Sequence, residues 1–232
     1  MSLANRLKPA ALRAWLRCKA SLTPRGKQAF IEAIAPSGAV LDVGCGNDSP
    51  YQARLQRADI RYTGVDVGDY GQTTPVHEYA DRYVLTTPEQ FAAEIARLPG
   101  AFDAIISAHN LEHCLQPEAV IRAMCGQLRE GGRLYLSFPC EASLGFPSRV
   151  GTLNFNDDPT HRAPPSYGAV LTALESAGLR VDFARRRYRP AIPFLLGALL
   201  EPASLISRRV MPLRSTWALY GFETVIWASR HG

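Results

Sequence analysis

The feature that most constrains this chain is the string V-L-D-V-G-C-G-N-D-S, Val40 to Ser49, at the end of an apolar strand-like run. Asp66 follows at the end of the next such run, roughly 20 residues further on, where a carboxylate can accept hydrogen bonds from ribose hydroxyls. Gly44 and Gly46 remove side chains where the backbone must turn tightly and let a ligand approach, and the helix predicted after them aims its amino end at that ligand. A dinucleotide fingerprint needs a third glycine where this chain has Ser49, and no G-x-x-x-x-G-K-[ST] phosphate loop is present.

The surrounding rhythm is that of a parallel sheet with crossover helices. Strand patterns fall at Ala39–Gly44, Arg61–Asp66, Arg82–Thr86, Phe102–Ser107 and Arg133–Phe138, with helices between them at Tyr51–Arg57, Pro88–Arg97 and Pro117–Arg129. Pro88 and Pro117 suit a first helical turn, and Gly131-Gly132 is expected to end the third helix. Residues 140–165, rich in Pro, Gly, Asn and Asp, form one long loop over the site. A helix at Ser166–Ala177 and strands at Leu179–Arg187 and Tyr220–Ser229 complete the pattern, around an apolar insertion at 191–213. The expected organisation is one domain: helices over 1–37, a cofactor-binding core over 38–139, an active-site loop over 140–165 and the remaining sheet over 166–232.

Composition narrows the class further. The 232 residues, 47% apolar and 20% charged, suit one globular domain with a sizeable core. The net charge of +5 is spread along the chain apart from Arg185-Arg186-Arg187 and Arg208-Arg209, a solvated basic face rather than a nucleic-acid stripe. Cys18, Cys45, Cys114, Cys125 and Cys140 are irregularly spaced without a Cys/His ligand set, so neither a zinc site nor a disulfide framework is expected, and no metal is assigned. Residues Met1 to Ala20 read as a basic amphipathic helix rather than a cleaved leader, which gives a cytoplasmic expectation. The insertion is broken by Pro193, Glu201 and Pro202 and is too short to span a bilayer. It reads as a hairpin that either packs on the sheet edge or forms a lid or membrane-facing patch, which leaves peripheral contact with the inner face of a membrane open.

In order and spacing, VLDVGCG, YTGVD, FDAIISAHNLEH and LREGGRLYLSFP resemble the class I, Rossmann-like S-adenosylmethionine-dependent methyltransferases, in particular the branch of the ubiquinone-biosynthesis methyltransferases. The resemblance covers roughly Gly38 to Pro139. It implies an α/β fold with a seven-stranded, mostly parallel sheet whose last strand is antiparallel, helices on both faces, and S-adenosylmethionine as cofactor. It places Asp42, Gly44 and Gly46 around the methionine part, Asp66 at the ribose, Thr86 and Thr87 at the adenine, and Ser107, Ala108 and His109 beside the sulfonium, with Cys45 and Val67 also among the cofactor-binding residues.

Methyl transfer from a sulfonium is an in-line displacement, so holding the nucleophile close and aligned supplies much of the catalysis. A hydroxyl acceptor also benefits from a base, and histidine is the side chain whose ordinary pKa best suits that role. The candidates are His161 with Asp158, in N-F-N-D-D-P-T-H, and His109 and His113 after the fourth strand. Each has a structural alternative: an Asx-type turn for the loop motif and a backbone-bonded helix start for His113. The expected reaction is O-methylation of a sugar, another small hydroxylated molecule or a glycan precursor, lipid-linked ones included. The competing readings are a non-catalytic or nucleic-acid-binding protein on the same fold and an RNA methyltransferase. The Asn/Asp-Pro-Pro-aromatic motif of amino-methylating enzymes is replaced here by Ser107-Ala108-His109-Asn110, and the Pro-Cys partner that would make Cys140 a nucleophile is missing.

Overall fold

In the computed structural model, which describes residues 8–231, seven strands form one sheet. They are β1 (Ala39–Val43), β2 (Arg61–Asp66), β3 (Arg82–Leu85), β4 (Phe102–Ala108), β5 (Leu128–Pro139), β6 (Leu179–Arg185) and β7 (Glu223–Arg230), in spatial order 3-2-1-4-5-7-6. The first five are mutually parallel, and β7 runs antiparallel to both of its neighbours, as expected from the sequence. Strand order reverses between β1 and β4, the place where open α/β sheets leave a crevice beyond their carboxyl ends.

Alternation along the strands builds two cores. Leu41, Val43, Val65, Ile105, Leu134 and Leu136 point to one face and pack beneath α4 (Phe91–Ala96), α5 (Pro117–Gln127) and α6 (Tyr167–Ser176). Val40, Tyr62, Ala104, Ile106 and Tyr135 point to the other, against Phe30 and Ile31 of α2 (Lys27–Glu32) and Ala53 of α3 (Ser49–Gln56). The long helix α1 (Pro9–Leu22) covers α2 and α3; residues 1–7 of the amphipathic helix expected over 1–20 lie outside the described residues.

Three expectations need correction. Pro88 sits in a turn ahead of α4, which begins only at Phe91. Gly131-Gly132 does not end α5, which stops at Gln127. The glycines lie inside β5, where the register with β4 shifts; Gly131 takes φ +72° and Gly132 has backbone oxygens where a Cβ would stand. A glycine pair at a strand irregularity carries the same local signal as one at a helix stop. The third concerns the insertion, which is helical: α7 (Ala191–Ser207) is followed by α8 (Ser215–Tyr220), and β7 starts at Glu223 rather than at Tyr220. Pro193 lies in the first turn of α7, where a missing amide costs nothing, whereas Pro202 lies inside the helix. Gly197 lets α8 approach, its backbone abutting that of Ser215.

The segment 140–165 is ordered by its own polar side chains. Asp157 accepts the amides of Arg149, Leu153 and Asn154 at 2.8–3.0 Å, and Asn154 and Asp157 form a reciprocal capping box. Arg149 then crosses to α7 and pairs with Glu201 at 2.6 Å, with its guanidinium buried beside Ser204 and Tyr220. One arginine thereby fastens the loop to the insertion.

Candidate active site

A cavity of about 910 Å³ opens beyond the carboxyl ends of the central strands. Gly44, Gly46, Asn47 and Ser49 from the turn after β1 line it, together with Asp66 and Val67 after β2, Ala108, His109, Asn110 and His113 after β4, and Asp158 to Arg162 from the loop. Helices α1, α2, α7 and α8 close the far wall.

The turn after β1 is held as its glycines require. Gly44 has φ +75°, and a Cβ there would collide with the Asn110 side chain; one on Gly46 would stand 2.8 Å from the Tyr70 carbonyl oxygen. The Gly44 amide donates to the Val65 carbonyl at 2.9 Å, which stitches the turn to β2. Asp66 is buried, accepts from the Val67 amide at 2.7 Å and faces the amides of Gly46 and Gly68. Burial is the largest influence on it, and nearby Asp42 adds repulsion, so its pKa rises to about 6 despite those amides. The glycine turn and the carboxylate therefore share one wall.

Asp42 lies one layer beneath. One of its oxygens accepts from Lys27 Nζ (3.0 Å), Ser49 Oγ (2.6 Å) and Tyr62 OH (2.7 Å). Its other oxygen has no hydrogen-bond partner among the described residues although it is fully buried. Cys45 is buried too, its thiol against Gly64, and burial pushes the thiol pKa well up. Ser107 is buried behind the cavity wall, bonded to Asn110, and Thr86 is tied to the Asp66 carbonyl at the end of β3; neither lines the cavity. Cys140 is likewise buried with a raised pKa, so it offers no reactive thiolate.

A family model for the methyltransferase domain matches residues 13–182. The chain belongs to that methyltransferase family. Similar curated proteins include the ubiquinone biosynthesis O-methyltransferases of Xanthomonas campestris, 35% identical over 73% of this chain and 63% of theirs, and of Ralstonia nicotianae, 27% identical over 82% and 75%. The chain thus spans about two thirds of the length of these relatives. Among solved structures, an S-adenosylmethionine-dependent methyltransferase from Mesorhizobium loti superposes with TM-score 0.60 over 88% of this chain and 97% of its own, at 16% identity. The methyltransferase bound to the Trm112 activator from Haloferax volcanii gives 0.62 over 95% and 98%, at 14% identity. The protein is therefore a methyltransferase that uses S-adenosylmethionine, and its residues suit that cofactor. A glycine cradle lines the wall, a buried carboxylate stands ready for a diol, and an unpartnered Asp42 oxygen lies beneath Lys27 and Ser49.

The methyltransferase brings four of its histidine and carboxylate candidates to this cavity in two groups that meet at Glu112. His109, with φ +52°, is clamped between carboxylates: Nδ1 lies 3.2 Å from Glu112 and Nε2 2.7 Å from Glu223. Burial opposes its charge, but the two carboxylates outweigh burial and raise its pKa above the ordinary value. Burial likewise opposes ionisation of Glu223, yet His109 and Arg214 hold it down to about 2. With both ring nitrogens occupied, His109 has no free lone pair to offer.

His113 and His161 form the second group, their rings 4.8 Å apart. The His161 Nδ1 sits 2.6 Å from the Phe155 carbonyl oxygen, a contact that requires Nδ1–H and leaves the Nε2 lone pair free; Asp158 lies 3.9 Å from Nε2. His113 Nδ1 contacts Thr160 Oγ1 at 3.0 Å, and Asp158 accepts from the Thr160 amide and hydroxyl, so the Asx-type turn is present as well. Donor atoms of Glu112, His113 and His161 all lie within 4.8 Å of one another. One Glu112 oxygen is buried without a partner among the described residues, so the trio has the donor chemistry for a divalent cation. Sequence spacing gave no sign of this trio, because His161 comes from a different loop.

Lys19, Lys27, Tyr135, Arg214 and Glu223 also line the cavity and escaped the sequence reading. They stand in α1, α2, β5, the α7–α8 turn and β7, and no local pattern joins them.

Proposed function

We propose that the protein methylates a hydroxyl oxygen of a sugar or another small hydroxylated acceptor, with His161 as the base. Bound S-adenosylmethionine supplies an electrophilic methyl group on a sulfonium. The glycine turn and Asp66 bind and orient it, Asp42 holds Lys27 and Ser49 in place from beneath, and the far walls keep water from the transfer. The Phe155 carbonyl fixes the His161 tautomer, and Nε2 takes the acceptor's proton while Asp158 stabilises the imidazolium that forms. That locked tautomer, facing the cavity, is the observation that carries the reading. A lipid-linked acceptor fits the setting too: α7 borders the cavity through Pro193 and exposes Ile192, Leu195, Leu199 and Ile206 to solvent. No helix among the described residues is long and apolar enough to cross a membrane.

The test is methyl transfer to a panel of sugars, sugar nucleotides and catechols with isotope-labelled cofactor. His161→Ala should lower turnover by roughly 100-fold or more, the usual scale of general-base loss, with S-adenosylhomocysteine affinity held within a factor of two. Unchanged turnover on a methylated acceptor removes His161 from the mechanism. The buried, unpartnered Glu112 oxygen favours a second reading, in which Glu112, His113 and His161 hold a divalent cation that acidifies the hydroxyl. Chelator separates the two: the base mechanism survives it, and the cation mechanism does not.

A further inference from the structure

Lys19 projects from α1 into the cavity, and among the described residues its ammonium makes no hydrogen bond or ion pair. Arg214, from the turn before α8, lines the same cavity; it bonds Glu223 at 3.0 Å and lies 4.4 Å over the Trp217 ring. Two consecutive residues there, Leu213 and Arg214, adopt positive φ without being glycine, and both line the cavity. Such strain is sustained only where surrounding structure fixes it, and it clusters at ligand sites. The charges do not balance. His109 and Arg214 share Glu223, His109 also meets Glu112, and the Lys19 amine is left without a carboxylate of its own. Burial, then Arg214 with Lys27, presses the Lys19 pKa down to about 7 against the pull of Glu223. An amine in that position gains a full charge as soon as an anion arrives.

We infer that Lys19 and Arg214 form an anion subsite, and that the acceptor carries a carboxylate or phosphate which this pair holds while the hydroxyl is methylated. The inference rests on the acceptor reading above and narrows its substrate class. The cofactor's own carboxylate is the other anion within the cavity's reach. Lys27, already bonded to Asp42 and Ser49 beside the glycine turn, stands at that end. Lys19 makes no such bond, and the charges acting on it are first Arg214 and Glu223, with Lys27 only after them. The subsite therefore belongs to the acceptor.

The chain has three lysines, Lys8, Lys19 and Lys27, so competitive acylation read by mass spectrometry reports each one separately. In protein saturated with S-adenosylhomocysteine at pH 8, Lys19 should acylate faster than Lys8. Millimolar inorganic phosphate or benzoate should slow Lys19 by roughly fivefold, as mass action gives when the anion is at four times its dissociation constant, and leave Lys8 unchanged. Arg214→Met should abolish that protection and slow Lys19 acylation without anion, because loss of the neighbouring cation raises the amine's pKa. Lys19→Met should keep S-adenosylhomocysteine affinity within a factor of two. Equal labelling of Lys19 with and without both anions overturns the subsite. A tenfold loss of S-adenosylhomocysteine affinity in Lys19→Met also overturns it, by assigning the amine to the cofactor's carboxylate. His161→Ala should keep the anion protection, so the base and the subsite fail separately.

Discussion

Replacing Asp66 by asparagine separates what the fold tolerates from what the ligand needs. The carboxylate is 5% exposed, and its pKa stands at about 6 against an ordinary 3.8. That gap corresponds to ~3 kcal/mol at ~1.36 kcal/mol per pH unit. Because an acid's pKa is raised, the cost accrues as pH climbs from 3.8 towards 6 and is fully present above that. Asparagine removes the buried charge but brings one acceptor oxygen to the amides of Val67, Gly46 and Gly68, which returns part of the gain. The net expectation is a cofactor-free protein more stable by ~1–2 kcal/mol at pH 7.5, or a Tm higher by roughly 2–8 °C for a domain of this size. Binding should move the other way. The ribose hydroxyls lose a charged acceptor worth ~1.5–3 kcal/mol, so S-adenosylhomocysteine affinity should fall by roughly 10–100-fold. Thermal melts with and without S-adenosylhomocysteine, paired with calorimetry, read both signs. A variant that melts below wild type without ligand, or that binds S-adenosylhomocysteine as tightly as wild type, refutes the reasoning.

Three further outcomes follow from the geometry. Gly46→Ala puts a methyl 2.8 Å from the Tyr70 carbonyl oxygen and should displace the turn, with calorimetric loss of cofactor binding in a protein that still folds by circular dichroism. Arg149→Met leaves Glu201 of α7 with the Tyr220 hydroxyl but no cation and should cost ~3 kcal/mol, the low end for a broken buried pair because Glu201 keeps that bond and some solvent; a urea midpoint equal to wild type contradicts this. For His109→Gln, the sign follows from a raised histidine pKa: the ionic clamp contributes fully below about 6.5 and is lost as pH rises through the higher folded value. The stability gap between wild type and His109→Gln should therefore narrow from pH 6.5 to 9, and a gap that stays constant in melts across that range counts against the clamp.

The parallel half of the sheet and the wall made by Gly44, Gly46 and Asp66 were legible because each is written locally, in strand alternation and in residues next to strand ends. The insertion was misread for a physical reason: Pro202 and Glu201 interrupt an apolar run in sequence, yet in space Glu201 is neutralised by Arg149 from another segment. The neighbourhood of Lys19 was beyond reach, since α1, the α7–α8 turn and β7 meet only once the sheet has closed. The same holds for Glu112 and His161, which a backbone bond from the Arg162 amide to the Glu112 carbonyl draws together. The loop motif carried both of its readings into the structure: Asp157 binds the loop's amides and Asp158 closes the turn with Thr160, while Asp158 and His161 also line the cavity.

Helices α1 and α2 precede every strand, so a chain begun at Gly38 would still contain all seven strands. It would lose the cation over Asp42 and one side of its pocket, because Lys27 and Lys19 would go with the missing helices. The opening segment is in this sense both a wall of the reaction chamber and part of the core: changes at Lys19 or Lys27 should show in ligand selection, and changes at Phe30 or Ile31 in folding.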